Sequence, residues 1–94
     1  YRSARAWAMK VFLSTHLRGY THEQSQVEAS GVTLAEALAD MERQFPGIRQ
    51  HIINEQDEIR QHMKIFINQD QEKNLNAALK PGDSIHIIGA LSGG

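Results

Sequence analysis

The chain closes on Leu91-Ser92-Gly93-Gly94, a few residues after the apolar run Ile85-His86-Ile87-Ile88. A carboxylate carried on a diglycine is the group here whose type and placement point most directly to covalent chemistry. Glycine has no Cβ, so two in succession make a thin, extended segment that can thread a channel too narrow for other residues. The carboxylate at its tip is a poor electrophile until it is converted to an acyl-adenylate. Taken alone, Ser-Gly-Gly is equally compatible with a frayed terminus or a cloning remnant. What precedes it has to decide.

The other chemistry-bearing residues are less directive. His16, His22, His51, His62 and His86 lack the close helical pairing of a zinc motif, and no cysteine supports them. They read as scattered surface or edge-strand histidines. Glu55, Asp57 and Glu58 stand beside Arg60, but nothing in the sequence supplies a pocket or a partner base, so a solvated loop is the expectation. Lys10, Lys64, Lys73 and Lys80 could accept an isopeptide if the chain conjugates to itself, and otherwise serve solubility. The absence of cysteine excludes a thiolate nucleophile, a disulfide framework and a cysteine metal site. No metal-binding or cofactor-binding residues are expected.

Ninety-four residues suit one domain with a single core. A content of 40% hydrophobic and 22% charged residues describes an ordinary soluble globular protein. The net charge of −1 provides no basic field, which argues against nucleic acid as the main partner. No apolar stretch approaches the roughly 20 residues that span a bilayer, so no membrane association is expected and the cytoplasm is the default location. Residues 1–8, Tyr1 to Ala8, contain arginines and small residues without the apolar centre of a signal peptide, and are expected to be a leader or remnant outside the fold, Trp7 included. The domain is expected over 9–90, with 91–94 as its tail.

The elements that would position that tail follow from periodicity. Met9 to Ser14 alternates as a strand with Met9, Val11 and Leu13 on one face. Arg18 to His22 supplies turn residues, and Gln24 to Ala29 around Val27 reads as a second, antiparallel strand. Thr33-Leu34-Ala35-Glu36 fits a capping box, in which the Thr33 hydroxyl accepts from the Glu36 amide while Glu36 reaches back. Leu34, Ala37, Leu38, Met41 and Phe45 then form the apolar face of a helix that Pro46-Gly47 stops. Between Ile48 and Arg60 isolated apolar residues suggest a short helical turn and a loop. Met63 to Asn68 is a strand with Met63, Ile65 and Ile67 inward, and Asn68-Gln69-Asp70 turns the chain. Leu75, Ala78 and Leu79 sit in a compact connection. Lys80-Pro81-Gly82-Asp83 is a strong turn, because proline presets φ and glycine accepts positive φ. Ser84 to Ile88 is the last strand, Ile85 and Ile87 inward. The expected fold class is α+β, with a mixed sheet of four to five strands on one main helix.

That element order, the capped helix at Thr33, the turn at Asn68, the Pro81-Gly82-Asp83 turn and the closing Gly93-Gly94 together resemble the ubiquitin-like β-grasp sulfur carriers. These are the molybdopterin-synthase small subunit and thiamine sulfur carrier (MoaD/ThiS) family, and the resemblance runs from about Met9 to Gly94. It implies that an ATP-dependent activating enzyme, using magnesium, adenylates the terminal carboxylate, and that sulfur is then transferred to give a thiocarboxylate for a sulfur-accepting synthase. Gly94 would hold the reactive carboxyl, Gly93 would keep the approach thin, and Leu91 and Ser92 would form the lead-in. At about 3.3–3.6 Å per extended residue, Leu91–Gly94 reaches on the order of 13 Å. The chain would be a carrier rather than an enzyme, with no cofactor of its own, and a monomer when free. Gly89-Ala90-Leu91-Ser92 departs from the proline- and alanine-rich lead-in of the molybdopterin type. The long Pro46–Arg60 segment exceeds the compact thiamine type. Together they leave the molybdopterin type and carriers for cysteine or homocysteine synthesis as the alternatives, with the reading leaning towards the second.

Alternation places Phe12, Phe66 and Ile88 on the sheet face opposite the helix, where they could form an apolar partner-binding patch near the tail. Two rivals share these features. One is a protein modifier conjugated to target lysines through Gly94, and the other is an interaction domain with an inert tail.

Overall fold

The computed structural model describes residues 8–89. Strand β1 (Ala8–Leu13) begins one residue before the expected Met9, because Ala8 still pairs with Ser30. Met9, Val11 and Leu13 are buried as expected. The segment read as a turn is a 3-10 helix, Thr15–Tyr20, followed by the turn. Leu17 is the reason: its N–H bonds the Ser14 carbonyl at 3.0 Å and its side chain is buried in the core. Strand β2 (Gln26–Ser30) runs antiparallel to β1, ending one residue later than expected.

Helix α1 (Leu34–Gln44) starts where the cap signal placed it. The Thr33 hydroxyl accepts from the Glu36 N–H at 3.2 Å. Glu36 reaches back one residue further than a standard box, its carboxylate accepting from Val32 N–H at 3.0 Å. Leu34, Ala37, Leu38 and Met41 are buried against the sheet, and Phe45 is partly covered. Burial of each large side chain is worth about 1.5–3 kcal/mol, so this one face accounts for most of the helix's stability. Beyond Pro46-Gly47, Glu42 caps the next helical turn by accepting from Gly47 N–H at 2.9 Å and Arg49 N–H at 3.0 Å. These two amides, with the Arg49 charge, hold the Glu42 carboxyl below the ordinary glutamate range. Helix α2 (Arg49–Ile52) is the expected short helical turn, with Ile48, Ile52 and Ile53 buried and Ile59 packed beside them.

Strands β3 (Met63–Ile67), β4 (Asp70–Gln71) and β5 (Ser84–Gly89) complete a five-stranded sheet in the order β2-β1-β5-β3-β4. The two central strands, β1 and β5, are parallel, and the other pairs are antiparallel. One face carries α1 and the core, which is the β-grasp arrangement. The two-residue β4 starts at Asp70, the last residue of the segment expected to be only a turn, and Ile67, near the sheet's end, is half-covered rather than buried. Asn68 and Asp83 tie the two turns at that end. Asn68 Nδ2 donates to Asp83 Oδ1 at 3.1 Å, its Oδ1 accepts from Ser84 N–H at 3.1 Å, and Asp83 Oδ2 accepts from Lys80 N–H at 2.9 Å. Gly82 takes the positive φ (92°) that this turn demands. At the other edge, α1 side chains cover outward groups of β2: Gln44 donates to Glu28 O at 2.8 Å, and Asp40 accepts from Ser30 N–H at 3.0 Å. Such capping blunts a strand edge against pairing with other chains. No described helix is long and apolar enough to cross a membrane.

Candidate partner face and tail exit

The sheet surface opposite α1 is built by alternation along β1, β5 and β3. In register, Phe12 stands opposite His86, and His86 opposite Phe66. Gln26 and Gln71 extend this row to the two outer strands. One pair further along β5, Ile88 lies opposite Lys64. The three apolar residues expected on this face are therefore all on it. Their exposure differs. Ile88 is 44% exposed, whereas Phe12 and Phe66 are half-buried.

Between them in the register stands His86, which was read as one of several scattered surface or edge-strand histidines. That reading is corrected: β5 is central, and its alternation sets the imidazole between the two phenylalanines. The imidazole stacks on the Phe12 ring with centroids 4.7 Å apart and planes 11° from parallel. The signal was present in the sequence, since residue 86 has the same parity as Ile88 in one strand. The face is thus an aromatic–imidazole–aromatic row with one protruding aliphatic residue at the end nearest the tail.

The tail exit is held by a residue that sequence reasoning passed over. Ser14, just beyond β1, donates its N–H to Ile87 O at 3.1 Å, and its Oγ accepts from Gly89 N–H at 3.1 Å. Gly89 pairs with Met63 on its other side. The last described residue, Gly89, is therefore fixed from both neighbouring strands. The tail residues Leu91, Ser92, Gly93 and Gly94 lie outside the described residues.

The remaining candidates do not converge. His51 Nε2 bonds the Tyr20 hydroxyl, tying α2 to the 3-10 helix. His22 meets Phe45 edge-on, with centroids 6.4 Å apart. Among the described residues no group of three or more potential ligands could hold a metal ion. Glu55, Asp57 and Glu58 lie on an exposed loop. It is organised by Asn54, whose Oδ1 accepts from Gln56 and Glu58 N–H, and Asp57 pairs with Arg49 at 3.4 Å. Arg60 donates to Gln50 O at 2.6 Å rather than to the acidic group. Lys10, Lys64, Lys73 and Lys80 are all exposed.

A small mixed sheet on one helix, with an apolar row on its free face and a pinned exit at the end of the central strand, defines a ubiquitin-like β-grasp protein. The ThiS family model matches residues 11–94, and the chain belongs to that family. Sulfur carrier protein CysO of Mycobacterium tuberculosis (strain ATCC 25618 / H37Rv) is 32% identical over 89 residues, covering 89% of this chain and 96% of that protein. The crystal structure of Mycobacterium tuberculosis CysO aligns with a TM-score of 0.83 at 28% identity, over 88% of this chain and 99% of that one. A chain of the Amycolatopsis orientalis BexX/CysO complex gives a TM-score of 0.84 at 29% identity, over 92% and 99% of the two chains. Small archaeal modifier protein 1 of Methanosarcina acetivorans gives 0.78 at 25% identity, over 93% and 96%.

Proposed function

We propose that this protein is a sulfur carrier whose Gly94 carboxylate is adenylated by an ATP-dependent activating enzyme and converted to a thiocarboxylate. The observation that carries the reading is a family match running unbroken through the diglycine, residues 11–94, on a chain similar to CysO sulfur carriers along nearly its whole length. In this mechanism the partner supplies the nucleotide, magnesium and catalytic groups. The chain supplies three things: a recognition surface at Phe12, Phe66 and Ile88, a defined departure point at Gly89, and a narrow tail through Leu91, Ser92 and Gly93. The thiocarboxylate then donates its sulfur to a synthase, and the long Pro46–Arg60 segment favours cysteine or homocysteine formation over the compact thiamine type. A complex between a CysO and BexX supports the expectation that such a carrier works docked to a partner protein.

A second reading is favoured by the likeness to the Methanosarcina acetivorans modifier. In it the same activated tail is transferred to a lysine amine on a target. Intact mass after incubation with the cognate activating enzyme, ATP, magnesium and a sulfur source separates the two. A carrier gains about 16 Da as one oxygen is replaced by sulfur, whereas a modifier appears as higher-mass conjugates. An unchanged mass with an enzyme proven on another substrate would overturn both.

A further inference from the structure

A cleft of about 850 Å³ opens beside β3, between the loop at 57–61 and the segment 71–76, and Ala35 of α1 also lines it. That volume falls within the roughly 300–1,000 Å³ of ligand-binding clefts. Phe12, Phe66 and His86 take no part in its lining, so the cleft is separate from the aromatic row. The two surfaces adjoin at Lys64, which lies on the partner face by register and also lines the cleft. We infer that this cleft is a docking site for an acidic segment of a partner protein, whose carboxylates meet Arg60, Lys64 and Lys73. Such docking is independent of the proposed chemistry at Gly94.

The three cations line the cleft without an ion-pair partner among the described residues. Their gathering is local, since the whole chain carries a net charge of −1. The backbone itself brings the two lysines together. β4 pairs with β3 at Ile67 and Phe66, and the Glu72 N–H then bonds Ile65 O at 2.8 Å. The next residue, Lys73, therefore comes level with Lys64. Like charges opposed on neighbouring strands are destabilising, and a bound carboxylate relieves that repulsion. Arg60 is held through Nε, which donates to Gln50 O at 2.6 Å, and its two terminal nitrogens make no bond among the described residues.

The carboxylates lining the same cleft are directed elsewhere. Asp57 pairs with Arg49 at 3.4 Å, Glu58 Oε1 accepts from Asn54 Nδ2 at 3.4 Å, and Glu72 Oε2 accepts from Asn74 N–H at 3.1 Å. Ile59 and Leu75, half-buried and packed against the core, also line the cleft. They offer contact to an aliphatic side chain set between carboxylates, so a peptide segment fits better than a bare anion. Lysine ammonium groups on flexible stems suit such separate carboxylates as point charges.

The test uses the isotope-labelled full chain and a short end-blocked peptide with one leucine flanked by glutamate pairs, followed by amide NMR. Saturable shifts are expected at the amides of Arg60, Lys64, Lys73 and Leu75, with those of Phe12 and Gln26 unmoved. Binding should weaken roughly fivefold to tenfold in the double variant Lys64→Gln, Lys73→Gln, as loss of two exposed charge contacts implies, and should fall as salt is raised. Both side chains are exposed, so the variant should fold as wild type does, checked by circular dichroism. Several results would each overturn the inference: no saturable shifts, shifts centred on the aromatic row, or undiminished affinity in the double variant. Equal binding of the same peptide with glutamine for glutamate, or of inorganic phosphate, would do so too.

Discussion

The imidazole of His86 lies flat against the ring of Phe12 across the central parallel strand pair, 4.7 Å between centroids. The stack covers part of the Phe12 ring, and Ile88 remains the protruding apolar group of the face. Aromatic pairs of this kind contribute about 0.5–1.5 kcal/mol beyond their buried area. Replacing His86 by Ala should therefore lower stability by about 1 kcal/mol, measured by denaturant unfolding.

The face itself is tested at Phe66 and Ile88. Ile88→Ala should leave stability within about 0.5 kcal/mol, as expected for an exposed position. Phe66→Ala, half-buried, should cost about 1 kcal/mol. Both should weaken binding to the activating enzyme by roughly tenfold, the 1.4 kcal/mol typical of a contributing interface residue. Binding is read by titration calorimetry. Undiminished affinity in both variants would place the partner elsewhere.

Core positions should behave differently. Leu38→Ala and Ile65→Ala remove side chains buried between helix and sheet and should each cost about 2–5 kcal/mol, whereas half-covered Ile67→Ala should cost less. Equal losses at Ile65 and Ile67 in urea melts would contradict the observed difference in burial.

Gly31 marks the closest approach of the β2–α1 connection to the helix. A Cβ there would stand 2.7 Å from Ala37 N and 2.8 Å from Glu36 Cβ. Backbone cannot give way cheaply, so Gly31→Ala should destabilise by about 1–3 kcal/mol in the same unfolding assay, with α1 displaced.

Much of this arrangement was legible in the residues. Thr33 to Glu36 announced the cap, the alternation in 9–13, 63–67 and 84–88 sorted inward from outward side chains, and Pro81-Gly82-Asp83 located the last turn. What escaped was non-local. Nothing near Ser14 in the chain indicates that its hydroxyl accepts from Gly89, 75 residues away. The 3-10 helix was hidden because Leu17, its buried anchor, has no periodic companions. The two-residue β4 owes its existence to pairing with β3 rather than to its own polar sequence. His86 was misplaced for the same reason, since the centrality of β5 depends on strand order.

Glu42 supplies a pH dependence. Its carboxyl is held below the ordinary glutamate range by the Gly47 and Arg49 amides, so the folded state favours the ionised form relative to the unfolded chain. That contribution is fully present above the unfolded value, about pH 5 and upward, and is lost as pH falls through the lowered folded value. Glu42→Gln should accordingly melt below wild type at pH 7, and the gap should close as pH drops under about 4. A gap that persists unchanged in acid would show that ionisation is not the cause.

The central claim is that the terminal carboxyl of this chain carries sulfur. The most direct measurement is the intact mass of the full chain and of the chain lacking Gly94 after incubation with ATP, magnesium, a sulfur source and the cognate activating enzyme. The full chain should gain about 16 Da, the exchange of one oxygen for sulfur, while the shortened chain, equally folded by circular dichroism, should gain nothing. Sulfur at the terminus of the shortened chain, or neither sulfur nor adenylate on the full chain with a proven enzyme, would contradict it.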